Sequence, residues 1–201
     1  MQKEKAAKFK FNPRWIAMTA MLAAMSSVLM FVELSVPLVP SFIKLDISEL
    51  PALVASFSMG PISGIIVCLI KNLIHLTQTS TTGVGEFCNF LLGICFVLPA
   101  GLIYSHRKTR KSAIIGCIVG AAAMVVCSLP INYYITYPFY ANFMSMNAIV
   151  GMYKAILPSV NSLFECLLVF NVPFTLFKGL LVSLITILIY KRISPIIKGR
   201  H

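Results

Sequence analysis

Ten polar or charged side chains lie within or directly beside long apolar stretches of this sequence. Such groups are costly at membrane depth unless each faces a partner or a cavity. The ten are Asp46, Glu49, Lys71, Asn72, His75, Glu86, Asn89, Asn132, Thr175 and Lys178. Together they can donate hydrogen bonds, accept them and carry charge of both signs. We therefore expect several of them to line a pocket that binds a small ligand.

The amide side chains indicate what such a pocket would suit. Asn89 and Asn132 can each donate and accept, which fits an imide or amide edge, and Lys178 supplies a cation or a donor. Neighbouring aromatic rings could stack on a flat ligand, or could form an aromatic belt at the membrane interface. These rings are Tyr133, Tyr134, Tyr137, Phe139 and Tyr140.

Catalytic and metal chemistry find little support in the sequence. His75 and Glu86 are the only pair that would suit an intramembrane enzyme, so we predict no catalytic residues. The six cysteines have no CxxC spacing and no histidine at ligand distance, so we predict small buried side chains, with no metal site and no cofactor. The chain also lacks a GxxxxGK[ST] motif and cannot hydrolyse ATP by that route.

Composition places these residues in a membrane protein. The chain has 201 residues, of which 58% are hydrophobic and 11% charged, with a net charge of +11. Thirteen of the 17 basic residues occur in four clusters at the ends of apolar stretches, where cytoplasmic segments keep them. The clusters are residues 3–14, 107–111, 191–192 and 198–200. This pattern indicates a lipid bilayer as the surroundings and no nucleic-acid partner.

We predict an all-α polytopic membrane protein with six transmembrane helices and both termini cytoplasmic. The spans are 15–34, 48–59, 61–78, 84–104, 113–137 and 173–190. Splitting the second and third at Gly60-Pro61 gives the even number of crossings that the basic clusters require. Residues 138–172 form a long outer segment with an apolar patch at 163–170. Residues 1–201 make one membrane domain, with 1–12 as a basic cytoplasmic segment and 193–201 as a cytoplasmic tail.

Several polar residues also have simpler interpretations. Lys71 is expected to extend its ammonium towards the interface, His75 to make one interhelical hydrogen bond, and Glu86 to pair with Lys44 or Lys178. Ser48 is expected to cap the second helix. Pairs of small residues suggest packing within the chain, or else a face for another subunit. These pairs are Ala20 and Ala24, Gly60 and Gly64, and Gly116 and Gly120.

Several short motifs together resemble a known family. They are KLDISELP at 44–51, Gly60-Pro61-x-x-Gly64, Lys71-Asn72-x-x-His75, Gly85-Glu86-x-x-Asn89-Phe90, Asn132-Tyr133 and Pro173-Phe174-Thr175-x-x-Lys178. The set spans all six predicted helices and is similar to the riboflavin-binding S components of bacterial energy-coupling-factor (ECF) transporters.

That resemblance implies six helices around a vitamin pocket near the outer face, with the loop after the first helix as a lid. Asn132 and Lys178 match polar positions that hold the flavin. Four residues match the lid: Phe42, Ile43, Leu45 and Asp46. Glu86, Asn89 and Thr175 complete the predicted binding set, although the family usually has Asn where this chain has Thr175. Threonine lacks the two amide donors, which weakens the expectation of flavin over another vitamin.

The resemblance also implies partners and a location. Family members work with a transmembrane coupling subunit and two ATPase subunits in the bacterial cytoplasmic membrane, and Ala20 and Ala24 match the contact with the coupling subunit. We thus expect uptake of riboflavin driven by ATP hydrolysis elsewhere. The alternatives are an S component for another vitamin or flavin-like substrate, or a membrane scaffold that transports nothing.

Overall fold

The computed structural model describes residues 12–37, 39–40, 42–79 and 81–198, with side chains to residue 189. Five described helical segments are long and apolar enough to cross a membrane, and the helix Glu49–Met59 is apolar but shorter. The predicted all-helical polytopic fold is confirmed. The N-terminal segment at 1–12 lies outside the described residues except for Asn12, and the predicted tail is described only as helical backbone to Lys198.

The first helix, α1 (Pro13–Phe31), begins as the sequence predicts. The Asn12 side chain accepts a hydrogen bond from the Arg14 amide at 3.2 Å, and Pro13 occupies the first helical position. Beyond α1, two short strands pair antiparallel: β1 (Leu34–Ser35) and β2 (Lys44–Leu45). Leu34 faces Leu45 in this register. The pairing folds the connection back over the bundle and places Asp46 directly after β2.

Two helices follow, joined at the predicted break. Gly60 has a φ of +104°, which glycine adopts readily, and it separates α2 (Glu49–Met59) from α3 (Pro61–His75). A short 3₁₀ turn, Leu76–Gln78, extends α3. Residues 49–57 of α2 are all buried. This short helix therefore lies in the centre of the bundle, where a span too short to face lipid belongs.

The next pair packs closely because of small residues. These helices are α4 (Val84–His106) and α5 (Arg110–Ile131), whose first turn is capped by Thr109. A Cβ atom at Gly116 or Gly120 would come within 2.7 Å of the Ala100 carbonyl or 2.5 Å of the Phe96 carbonyl. The prediction that these glycines serve packing within the chain is confirmed.

The last third of the chain contains two π-helical segments. The first, Asn132–Thr136, joins α5 to α6 (Tyr137–Tyr140); a separate helix α7 (Met146–Lys154) follows. The second, Leu167–Asn171, joins α8 (Leu163–Cys166) to α9 (Val172–Lys198).

The sixth span therefore begins at Leu163, and the prediction of a start at Pro173 was wrong. A capping box between Ser162 and Glu165 starts the helix ten residues earlier. Pro173 does not end it, because the π segment just before the proline widens the turn that its ring would otherwise crowd. The apolar patch at 163–170 is the first part of this helix.

The close approach at Gly120 leads to a stability prediction. Gly120→Ala forces a methyl group against the α4 backbone, so we expect it to destabilise the fold by roughly 1–3 kcal/mol. Gly151→Ala is the matched control, since a Cβ atom there meets nothing within 4 Å. Thermal unfolding in detergent should show a lower midpoint for Gly120→Ala and an unchanged or slightly higher one for Gly151→Ala. Equal midpoints would contradict this packing.

Candidate ligand-binding site

The connection between α1 and α2, which contains β1 and β2, is called the loop below. A network of four buried charges lies where this loop, α2, α3 and α9 meet. Lys71 Nζ is 2.9 Å from Glu49 Oε1, and both side chains are at most 1% exposed. Lys178 Nζ lies 3.1 Å from Glu49 Oε2 and 2.8 Å from Asp46 Oδ2. Two cations thus balance two anions, and Glu49 connects the two lysines. The expectation that Lys71 reaches towards the interface was wrong, because carboxylates inside the bundle satisfy its charge.

Ser48 adds hydrogen bonds to this network. Its side chain donates to Asp46 and accepts from Lys71, and its backbone amide donates to Asp46 Oδ1 at 2.9 Å. Ser48 does occupy the cap position of α2, but its side chain makes no capping hydrogen bond. The predicted cap was wrong in this respect, because the hydroxyl serves the charge network instead.

The network keeps the loop carboxylate ionised. Burial by itself raises the pKa of Asp46, but the ammonium groups of Lys178 and Lys71 outweigh that effect and leave the pKa below its ordinary value. Asp46 therefore remains an anion throughout the physiological range. The loop after β2 is held to α9 by a charged contact.

A second polar cluster fastens the same loop to α3 and α4. His75 Nδ1 is 3.0 Å from Glu86 Oε1, and His75 Nε2 is 3.5 Å from Glu33 Oε1. Glu33 also pairs with Lys44, and Thr79 donates to Glu86 Oε2 at 2.9 Å. The interhelical hydrogen bond of His75 is confirmed. The predicted partners of Glu86 were wrong, because Lys44 and Lys178 are engaged by other carboxylates.

A cavity of about 190 Å³ lies beside these clusters, and we call it the amide cavity. Three amide side chains, from α4 and the two π segments, meet in its wall with aromatic rings. Its lining is Phe42, Ile43, Gly85, Cys88, Asn89, Leu92, Asn132, Thr136, Tyr137, Tyr140, Asn171, Phe174 and Thr175. Such walls suit a flat molecule with a hydrogen-bonding edge.

A cavity of about 160 Å³ adjoins it, and we call it the charged cavity. Phe42, Gly85 and Asn89 line both cavities. The charged cavity is further lined by Met30, Glu33, Lys44, Asp46, His75, Thr81, Glu86 and Lys178. Each alone is smaller than the roughly 300 Å³ of an ordinary ligand pocket. Because they share a wall, a ligand with one flat part and one polar part fits the pair better than either cavity alone.

Phe42 closes the loop over the amide cavity. Its ring meets those of Tyr137, Tyr140 and Tyr153 edge-on, with centroids 6.3, 6.3 and 5.9 Å away. Edge-to-face contacts at this distance are favourable. The loop is therefore held by aromatic packing on one side and by the Asp46 ion pair on the other.

Eight of the nine predicted binding residues line one or both cavities, and Leu45 lines neither of the two. Leu45 is buried and faces Leu34 in the strand pair, which gives it a structural place in the loop. On α1, Ala20 and Ala24 lie on an exposed face together with Met21 and Met25. Packing inside this chain therefore does not account for that alanine pair.

Sequence reasoning missed Asn171 and Tyr153. Asn171 lines the amide cavity, and Tyr153, which is fully buried in α7, donates to its Oδ1 at 2.8 Å. The available signal was an asparagine inside an apolar run two residues before Pro173. The predicted outer segment at 138–172 includes this asparagine, so membrane depth does not single it out.

The remaining aromatic and cysteine predictions are only partly met. Tyr137 and Tyr140 line the amide cavity, whereas Tyr134 is 74% exposed, as an aromatic belt requires. All six cysteines are free thiols, and Cys68, Cys88, Cys117 and Cys166 are buried. The prediction of small buried side chains holds for those four.

Comparison with known proteins agrees with this architecture. A family model described as the substrate-specific component of ECF transporters matches residues 14–190. The riboflavin transporter RibU of Staphylococcus aureus is 34% identical over 187 residues, which cover 93% of each chain. The riboflavin transporter FmnP of Bacillus subtilis is 28% identical over 189 residues, covering 92% of this chain and 95% of that one.

A solved structure of the S component of a bacterial ECF transporter has the same fold. It superposes with a TM-score of 0.73 at 32% identity, over 92% of this chain and 98% of the other. The chain therefore belongs to the family of ECF transporter substrate-specific components, which are multi-pass proteins of the bacterial plasma membrane.

Proposed function

We propose that this chain captures riboflavin at the outer face of the membrane and delivers it inward as the substrate-binding subunit of an ATP-driven transporter. The observation that carries the proposal is the pair of adjoining cavities beneath the loop. Riboflavin has a flat tricyclic ring with an imide edge and a flexible polyol chain. The amide cavity suits the ring, and the charged cavity suits the hydroxyl groups of the chain.

Side-chain chemistry supports this placement. Asn89, Asn132 and Asn171 offer donors and acceptors to an imide edge, while Phe42 and Tyr137 offer apolar walls. Hydroxyl groups can donate to carboxylates such as Glu86 and Asp46 in the charged cavity. The two relatives described above are both named as riboflavin transporters, which favours riboflavin over another vitamin.

Lys178 is proposed to serve both the network and the ligand. An ammonium group has three donors; Lys178 donates one hydrogen bond to Asp46 and is held by Glu49 as an ion pair at 3.1 Å. A donor therefore remains for a molecule in the charged cavity. Thr175, one turn before Lys178 on the same helix face, offers one hydroxyl to the amide cavity.

Transport requires energy from other subunits. The sequence has no phosphate-binding GxxxxGK[ST] motif, so we assign ATP hydrolysis to two separate ATPase subunits and force transmission to a transmembrane coupling subunit. The exposed face of α1 around Ala20 and Ala24 is the proposed contact with that coupling subunit. Small residues allow the close helix approach that such a contact needs. We propose that both termini lie in the cytoplasm, since basic clusters favour that side of the membrane.

The first prediction concerns ligand identity. The purified chain should quench riboflavin fluorescence at one-to-one stoichiometry, and Asn132→Ala should weaken binding about tenfold through loss of one or two hydrogen bonds. Asn142→Ala, at an exposed position outside both cavities, is the matched control and should bind normally. Unquenched flavin with the wild-type chain would move the substrate to another vitamin.

The second prediction separates the two roles of Lys178. Lys178→Met leaves the carboxylates of Asp46 and Glu49 with a single cation, which should destabilise the fold by roughly 3–5 kcal/mol. Adding Asp46→Asn restores charge balance, so the double variant should regain most of the lost thermal stability. Riboflavin affinity should stay lower in the double variant than in Asp46→Asn alone, because the double variant also lacks the lysine donor. Full recovery of affinity would show that Lys178 acts only through the network.

The third prediction tests the coupling face. Ala20→Trp or Ala24→Trp should abolish riboflavin uptake in cells that carry the partner subunits, while binding by the purified chain stays unchanged. Val126→Trp is the control, because Val126 is 71% exposed on α5, away from α1. Uptake by the chain in cells that lack the partners would contradict the proposed dependence on ATPases.

A further inference from the structure

Asn171 belongs to a closed ring of hydrogen bonds behind the amide cavity. Tyr153 donates to Asn171 Oδ1 at 2.8 Å, and Asn171 Nδ2 donates to the Tyr137 hydroxyl at 3.2 Å. The two tyrosine hydroxyls also contact each other directly. Tyr137 and Tyr153 are at most 1% exposed and Asn171 is 9% exposed. Three polar side chains from α6, α7 and the second π segment are thus joined in the protein interior, beside the amide cavity.

Counting hydrogens fixes the direction of this ring. A tyrosine hydroxyl has one hydrogen, and that of Tyr153 goes to Asn171. Tyr153 must therefore accept from Tyr137, while the Tyr137 oxygen accepts from the Asn171 amide. The three bonds run round the ring in one direction. Bonds in such a ring polarise one another, which holds the amide in one orientation.

The ring leaves Asn171 with one unused amide hydrogen. A side-chain amide carries two, and Tyr137 takes one. Asn171 lines the amide cavity together with Thr175, which lies four residues later on the same helix face. The donor is therefore available to a ligand close to the position where the threonine hydroxyl lies.

We propose that Asn171 is a specificity-determining residue whose remaining N–H donates to a ring carbonyl of the flavin, with Tyr153 as the positioning residue that holds the amide. This inference rests on the proposed function. The amide donor of Asn171 lies one turn before the hydroxyl of Thr175 on the same helix. Tyr153 acts without touching the ligand, because it is fully buried and lines neither the amide cavity nor the charged cavity.

The test compares riboflavin with analogues in which one ring carbonyl oxygen is replaced by sulfur, a weaker hydrogen-bond acceptor. Dissociation constants are measured by fluorescence or absorbance titration of the full-length chain in detergent. The variants are Asn171→Ala, Asn171→Asp and Tyr153→Phe. Asn142→Asp and Tyr134→Phe are matched controls at exposed positions outside the ring. Preference for riboflavin over an analogue is a ratio measured on one protein, so a loss of stability affects both values alike.

The flavin ring has two carbonyl groups, so there are two such sulfur analogues. For the wild-type chain we expect about tenfold preference for riboflavin over the analogue whose sulfur replaces the oxygen that Asn171 contacts. Asn171→Ala should reduce that preference to within about twofold, and Asn171→Asp should weaken riboflavin binding about tenfold or more because a carboxylate has no donor. Tyr153→Phe should lower the preference while keeping measurable binding. The two controls should match the wild type.

Two failures are distinguishable. A wild-type chain that binds riboflavin, with Asn171 and Tyr153 variants that keep the wild-type preference, overturns this inference alone. A wild-type chain that leaves flavin emission and absorption unchanged overturns the proposed function itself.

Discussion

The fold depends on a neutral network of four charges buried between the loop and three helices. Each of Asp46, Glu49, Lys71 and Lys178 would cost several kcal/mol if left alone in the bundle interior. None has an oppositely charged partner within its own segment. The positions of the loop, α2, α3 and α9 therefore depend on one another, since every charge has its partner on another segment.

This constraint also shapes the cavities. Asp46 follows β2 directly, so the strand register that pairs Leu34 with Leu45 sets where the carboxylate meets α9. Phe42, earlier in the same loop, then lies against the tyrosines of α6 and α7. Ionic contact at one end of the loop and aromatic contact at the other enclose the space between them. The ligand site is thus a consequence of how the loop is fastened.

Much of this could be predicted from sequence because membrane depth makes polar residues informative. Asn89, Asn132 and Thr175 stood out as costly groups in apolar helices, and all three line the amide cavity. The partners of Lys71 and Glu86 could not be predicted in the same way. Pairing depends on the relative rotation of helices, and the spacing of residues along one helix does not contain that rotation.

The main error in helix boundaries has a physical origin in proline. Pro173 was interpreted as the start of the sixth span, since proline normally removes a backbone hydrogen bond inside a helix. Here the π segment Leu167–Asn171 precedes Pro173. The other π segment, Asn132–Thr136, follows α5 and precedes Pro138 in α6. Asn132 and Thr136 come from one of these segments and Asn171 from the other, and all three line the amide cavity. The irregular turns that accommodate the prolines also turn polar side chains towards the cavity, as π-helical turns at functional sites often do.

The way the loop is fastened explains why such a chain would need energy from outside to release a ligand. Opening the loop separates Asp46 from Lys178. It leaves one buried anion, Glu49, with two buried cations, Lys71 and Lys178, so the charge balance favours the closed arrangement. A ligand that fills both cavities favours closure further, because it adds contacts only in that state. Moving the equilibrium from almost fully closed to almost fully open takes roughly 5.5 kcal/mol of differential interaction. A subunit that binds the open form more tightly through the exposed face of α1 could supply that difference.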